Sequence, residues 1–259
     1  MSPMTVVVTL LVLGLVLHRT VQTARSLPLR IGAVSAVLVG VAPALWVMLA
    51  RGVSPKLVLG YGAAFFIASV LLKWVLFRGV MTTRVHPRLG HVAGGVAQGG
   101  LSAACELGVA ALALGLVFPD LPFWDVFGFG SAAAYTEALI VGLVGRDLHT
   151  GAPSEAHVGR ELAALERAPS WLAAGVPFVE RTIATTDHIA CRGLVAAGLA
   201  SGQTWPLALA FATFAITDGL AQYWMTRERS FADPSGALRL YTPMALTAVA
   251  AVAGWMLAR

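Results

Sequence analysis

Charge is what this chain has little of. Of its 259 residues only 12% are Asp, Glu, Lys or Arg, whereas 58% are hydrophobic and the mean hydropathy is +0.77. A soluble domain is about a quarter charged. Half that share is too little to cover a surface facing water, which excludes a soluble enzyme, a disordered chain and a nucleic-acid binder. Cysteine is scarce as well. Cys105 and Cys191 both lie inside apolar runs, so no disulfide framework is implied. There is no Gly-rich phosphate loop, no Ser-His-Asp candidate and no Cys-x-x-Cys pair. No segment alternates apolar and polar residues as a strand of a membrane barrel does. The first apolar run has no Lys or Arg before it and no small-residue cleavage site between it and Arg19, so it reads as a span, not a secretory signal.

Long apolar runs are what the chain does have. A helix needs about 20 predominantly apolar residues to cross the hydrocarbon core. Eight stretches qualify: Met4–Leu17, Ile31–Ala50, Leu57–Phe77, Val92–Phe118, Phe123–Gly145, Trp171–Ala200, Trp205–Trp224 and Leu240–Leu257. The fourth and sixth exceed a straight crossing, which implies tilt or a part outside the bilayer. With eight spans, the odd-numbered connections hold twelve of the 18 Lys and Arg residues, and the opposite side holds Arg51, Lys56 and Arg259. That bias predicts odd connections in the cytoplasm and both termini outside. The net charge of +5 then reads as basic loops against anionic lipid head groups. The expected architecture is all-α: one polytopic transmembrane helical bundle over residues 1–259.

Arg146–Ser170 is the longest polar stretch. Val158, Leu162 and Leu165 sit at helical spacing within it and would suit a short interfacial helix. Its mixed charge favours a solvated connector. Most of the seven tryptophans fall near span ends, as interface anchors do. Lys73, about a turn from Arg78, is expected to snorkel to the cytoplasmic face.

Several ionisable residues fall inside the spans, where each costs roughly 2.5–3.5 kcal/mol to insert and so faces a partner or a cavity. They are Glu106 in the fourth span, Glu137 in the fifth, Glu180, Arg181, Asp187, His188 and Arg192 in the sixth, and Asp218 in the seventh. On the sixth, Glu180 and Asp187 share one face, while Arg181, His188 and Arg192 form a neighbouring stripe. Glu180 with Arg181, and Asp187 with Arg192, are candidate ion pairs that support the bundle. Glu106, Glu137 and Asp218 have no basic residue within a turn on their own helices. With His188 they form a set of oxygen and nitrogen donors able to hold Zn²⁺ or another divalent metal if the four helices converge, and the alternative is a protonated-carboxyl network. Gly94, Gly95, Gly99 and Gly100 precede Glu106, and Gly128, Gly130 and Ser131–Ala134 precede Glu137; such small residues let helices approach closely.

The order of these elements resembles the YhfC family of intramembrane metalloproteases, which is similar in style to the PrsW and CPBP membrane proteases. Four segments between about residues 95 and 225 carry the resemblance: Gly100-Leu101-Ser102-Ala103-Ala104-Cys105-Glu106; Phe127-Gly128-Phe129-Gly130 through Glu137-Ala138-Leu139; Val179-Glu180-Arg181 with His188 eight positions after the Glu; and Phe214-Ala215-Ile216-Thr217-Asp218. The chain departs from the family where Cys105 replaces the first of paired glutamates, where Ser131–Tyr135 lack a histidine, and where Phe214 replaces a late histidine. The resemblance implies a diverged member in a bacterial inner membrane. It implies Glu106 as base, Glu137, His188 and Asp218 as ligands of a divalent metal, possible identity Zn²⁺, and a membrane protein or peptide as substrate. Two other classes fit the same residues: a proton- or cation-coupled transporter, and a non-catalytic scaffold.

Overall fold

The structure, a computed structural model, describes residues 3–77, 89–144, 152–227 and 229–259, with the backbone alone for Pro3, Val144 and residues 152–158. Among the described residues every regular element is helical. Helix α1 spans Pro3–Thr23 and α2 Leu27–Ala50; a π-helical segment, Lys56–Gly62, runs into α3 (Ala63–Leu76). Helix α4 (His91–Leu112) continues through a second π-helical segment, Ala113–Val117. Then follow α5 (Phe123–Val144), α6 (Ala152–Leu165), α7 (Ser170–Ser201), α8 (Thr204–Thr226) and α9 (Pro234–Leu257).

Each expected span has its helix, and several run past the apolar stretch. Helix α2 begins where the Ser26 hydroxyl accepts the Leu29 N–H and Pro28 presets the first turn. Helix α9 begins with Pro234, behind an Asp233 carboxylate that accepts from the Gly236 N–H and the Ser235 hydroxyl. Those bonds hold the Asp233 carboxyl below the usual carboxylate range. A hydropathy reading stops at the first polar residue, but the backbone stays helical until a cap ends it.

Seven of these helices are long and apolar enough to cross a bilayer. The chain is an integral membrane protein, and exposed side chains such as Leu11, Leu49, Leu71, Leu116 and Leu246 form its lipid-facing surface. Helix α7 is the exception. At 32 residues it is about 48 Å long, ample for a crossing, but it carries five ionisable side chains. It packs against α2, α4, α5, α8 and α9, so its polar stripe faces protein. Arg181, Asp187, His188 and Arg192 are all buried.

Two glycines permit the approach of helices around α7. A Cβ on Gly99 of α4 would collide with the Ala215 carbonyl and the Gly219 backbone of α8. A Cβ on Gly130 of α5 would stand 2.9 Å from Ile189 Cα and 3.3 Å from the His188 carbonyl. Substituents there would force the helices apart and carry Glu106 and Glu137 away from α7.

Two expectations are corrected. Part of the expected connector Arg146–Ser170 is helix α6, and it caps one end of the bundle. Buried Leu165 packs with Ala24, Leu29, Leu172, Val176 and Ala237. The Glu161 carboxylate accepts from the Ser230 hydroxyl and from the Phe231 and Ala232 N–H groups of the α8–α9 connection. Thus one of the charges that suggested solvation satisfies backbone donors. Trp224 and Trp255 are buried, the latter against Gly193, so they pack the core and do not anchor at the interface. Trp46, Trp74, Trp171 and Trp205 are exposed as expected.

Candidate functional site

Glu106, Glu137, His188 and Asp218 line one cavity of about 160 Å³, together with Lys73 of α3 and with Glu180 and Asp187 of α7. Five helices therefore contribute ionisable groups to a single chamber. Its other walls come from the C-terminal ends of α3 and α8 and the N-terminal parts of α4, α7 and α9, through Phe77, Met225, Gln98, Ala184 and Met244. It lies in the half of the bundle from which the Arg-bearing connections of the sequence lead, the half predicted to face the cytoplasm.

The contacts start from Glu106, which is buried. Its Oε1 accepts from Lys73 Nζ at 2.8 Å, and its Oε2 accepts from Arg192 Nη2 at 3.1 Å. Lys73 Nζ also stands 3.5 Å from Asp218 Oδ2, and that carboxylate accepts from the Ser102 hydroxyl. Gln98 donates to Gln222 Oε1 at 2.6 Å, linking α4 to α8. On the other side Glu137 Oε2 accepts from Arg181 Nη1 and lies 3.0 Å from His188 Nε2.

His188 joins the two halves. Arg192 Nη1 is 2.8 Å from His188 Nδ1. A guanidinium only donates, so Nδ1 is the acceptor and the ring proton sits on Nε2, which donates to Glu137. The 3.5 Å approach of Nδ1 to Glu106 Oε2 then brings two acceptors near each other and is not a hydrogen bond. Phe66 and Phe214 stand against the ring, with centroids at 5.5 and 5.8 Å.

Three sequence readings change here. Lys73 is buried and bonded to Glu106, so it does not snorkel: α3 packs on α4 and points the lysine stem inward, toward acids that need a cation. Arg192 pairs with Glu106 and His188, not with Asp187. Residues five apart on a helix point to different sides, whereas His188 and Arg192, four apart, meet. Arg181 does reach Glu180, at 3.5 Å, but its nearer partner is Glu137. Sequence reasoning missed Lys73 and Ser102 as site residues. The signal for Lys73 was there: three acids without a basic neighbour on their own helices require a cation from elsewhere.

The donor set does not fit a divalent ion as it is arranged. Both oxygens of Glu106 face cations, both His188 nitrogens are engaged by protein, and Lys73 lies between Glu106 and Asp218. Among the described residues no three His, Cys, Asp or Glu side chains gather as metal ligands. What the arrangement offers is a carboxylate flanked by two fixed positive charges, beside an oriented imidazole, in a cavity with room for water. Fold and site together define a helical integral membrane protein with a charged, partly open chamber among its helices. Comparison with family models, with curated proteins and with solved structures matches the chain to none of them.

Proposed function

We propose that the protein is a diverged intramembrane-protease-like hydrolase, acting on a membrane-embedded or membrane-proximal peptide in the bacterial inner membrane. The observation that supports this reading is the shared chamber: Glu106, Glu137, His188 and Asp218, up to 112 positions apart in the chain, line one cavity in the half predicted to face the cytoplasm. Chemistry follows from the groups present. Water held at Glu106 would give it a proton while the oxygen adds to the peptide carbonyl carbon, and the carboxyl would then return that proton to the leaving amine nitrogen. Lys73, in the chamber wall, would supply fixed positive charge where the carbonyl oxygen becomes negative, while Arg192 holds the other Glu106 oxygen from behind. Glu137 orients His188, which positions Arg192 through Nδ1. No step needs a metal, and a divalent ion on Glu106 would have to displace Lys73 or Arg192.

The test compares new peptide N-termini in membranes from cells expressing the wild-type chain or Glu106→Gln at equal protein level. N-termini present only with the wild type, their recovery with Glu106→Asp, and persistence with 1,10-phenanthroline are expected. Identical N-terminal profiles would end the hydrolase reading. The scaffold reading is favoured by one observation, the pairing of both Glu106 and Glu137 with cations, and it predicts that same identity together with a lower unfolding midpoint for Glu106→Gln.

A further inference from the structure

Away from the chamber, an open groove of about 530 Å³ follows the seam between α4 and α8 on the lipid-facing surface. Its walls include Val92 and Val96 of α4 and Phe211, Ile216 and Tyr223 of α8. The first four of these side chains are exposed. Beneath them the two helices touch: a Cβ on Gly95 would stand 2.9 Å from the Gly219 carbonyl and 3.2 Å from Tyr223 Cβ. The groove is therefore a furrow with alkyl and aromatic walls over a floor of backbone.

Its length and its end restrict what can lie in it. Phe211 to Tyr223 covers about 18 Å of the α8 axis, and one leaflet of hydrocarbon is about 15 Å deep. The groove thus runs the depth of one leaflet and ends on a tyrosine, a residue suited to head-group level. Just past the last turn of α8 come Arg227 and Arg229, both exposed. Their guanidinium carbons lie 5.7 and 5.5 Å from the Tyr223 ring centroid, and that of Arg229 is 5.2 Å from the Trp224 ring. The rings hold both cations at the end of the groove. Among the described residues neither guanidinium has a carboxylate partner; Glu228, between them in the chain, lies outside those residues. The charge bias of the sequence predicts that this end is cytoplasmic.

We propose that the groove holds an acyl chain of an anionic phospholipid of the cytoplasmic leaflet, with Arg227 and Arg229 on its phosphate. Guanidinium forks match phosphate oxygens, and basic sites at the cytoplasmic ends of membrane helices favour anionic head groups. The apolar walls take the chain and the arginine pair takes the charge, at the spacing one lipid molecule provides. A helix of a second copy would leave that pair without an anion. Close helix contact also uses small residues, and Gly95 and Gly219 of this seam are already spent between α4 and α8. The lipid site shares no lining residue with the chamber, so it stands whether or not the chain is a hydrolase.

The experiment measures the unfolding midpoint of the full-length protein in maltoside micelles doped with dioleoyl phosphatidylglycerol or dioleoyl phosphatidylcholine at constant ionic strength. A saturable rise with phosphatidylglycerol, and none with phosphatidylcholine, is expected, since a ligand that binds only the folded state raises its stability. Arg227→Gln combined with Arg229→Gln, both at exposed positions, should need about 30-fold more phosphatidylglycerol for half the rise. Ala212→Trp, which fills the groove from an exposed position in its wall, should also move the curve to higher lipid concentration. Arg19→Gln combined with Arg25→Gln removes the same charge at the end of α1 and should leave the curve in place. Glycerol phosphate, a head group without chains, should not raise the midpoint. The proposal is overturned if the Arg227 and Arg229 double variant responds as the wild type does, or if the Arg19 and Arg25 double variant loses the response equally. It is also overturned if glycerol phosphate reproduces the rise, or if the wild type does not distinguish the two lipids. A dimer seen by light scattering and abolished by Ala212→Trp would assign the groove to a second copy and overturn it as well.

Discussion

At the scale of the residue, the chamber shows how cations and acids make one another tolerable at lipid depth. Glu106 is held by Lys73 from α3 and Arg192 from α7, so three helices depend on one carboxylate. Removing one partner of a buried pair leaves a charge uncompensated, which costs about 3–5 kcal/mol, while replacing both by apolar groups is often neutral. Lys73→Met should therefore lower stability by about 3 kcal/mol, the low end because Arg192 remains. Adding Glu106→Leu should not restore stability, because Arg192 then loses its carboxylate, as Asp218 has already lost Lys73. Denaturant unfolding in mixed micelles, arranged as a double-mutant cycle, measures the coupling. A Lys73→Met protein as stable as the wild type would show that the lysine contributes nothing to the bundle. The sequence marked Glu106, Glu137, His188 and Asp218 because buried charge is conspicuous in an apolar run. It did not mark Lys73, because a lysine near a span end has a second, inexpensive solution in snorkelling, and only packing excludes it.

At the scale of the element, close contact between α4 and α8 brings Ser102 within reach of Asp218, and α3, packed on α4, adds Lys73. Gly99 is where that contact is tightest, and Gly100, one residue on, faces open space. Gly99→Val should broaden and lower the thermal transition by separating the helices, whereas Gly100→Val should leave it in place, since it costs only a change in helix propensity. Equal behaviour of the two variants in a detergent melt would rule out the assigned packing. A run of Gly94, Gly95, Gly99 and Gly100 reads from sequence as a surface suited to close approach. Which of the four meets a neighbour depends on the rotation of α4 about its axis, and that is settled by its partners. Helix α6 makes the same point in reverse. Val158, Leu162 and Leu165 displayed the helical spacing, yet the abundance of charge argued for a loop; Glu161 resolves the conflict by accepting from backbone donors of the α8–α9 connection.

At the scale of the whole molecule, the placement of Lys and Arg predicts a cytoplasmic side and hence the side to which the chamber is nearest. The two native cysteines are buried, so an introduced thiol reports without background from accessible ones. Ser54→Cys, in the connection after α2, should react with a membrane-impermeant maleimide in intact cells, and Arg227→Cys only after the membrane is opened. The opposite pattern would invert the molecule and put the chamber on the outer side. Composition and hydropathy by themselves determined that the chain is a helical membrane protein, roughly where its helices lie, and which acids required explanation, because the bilayer penalises every unpaired polar group and so leaves a strong mark on sequence. Tertiary structure alone decided who compensates whom. Arg192 turns to Glu106 and not to Asp187, and Lys73 turns inward, since such pairings depend on helix rotation and on distances between segments remote in the chain, which local sequence does not encode.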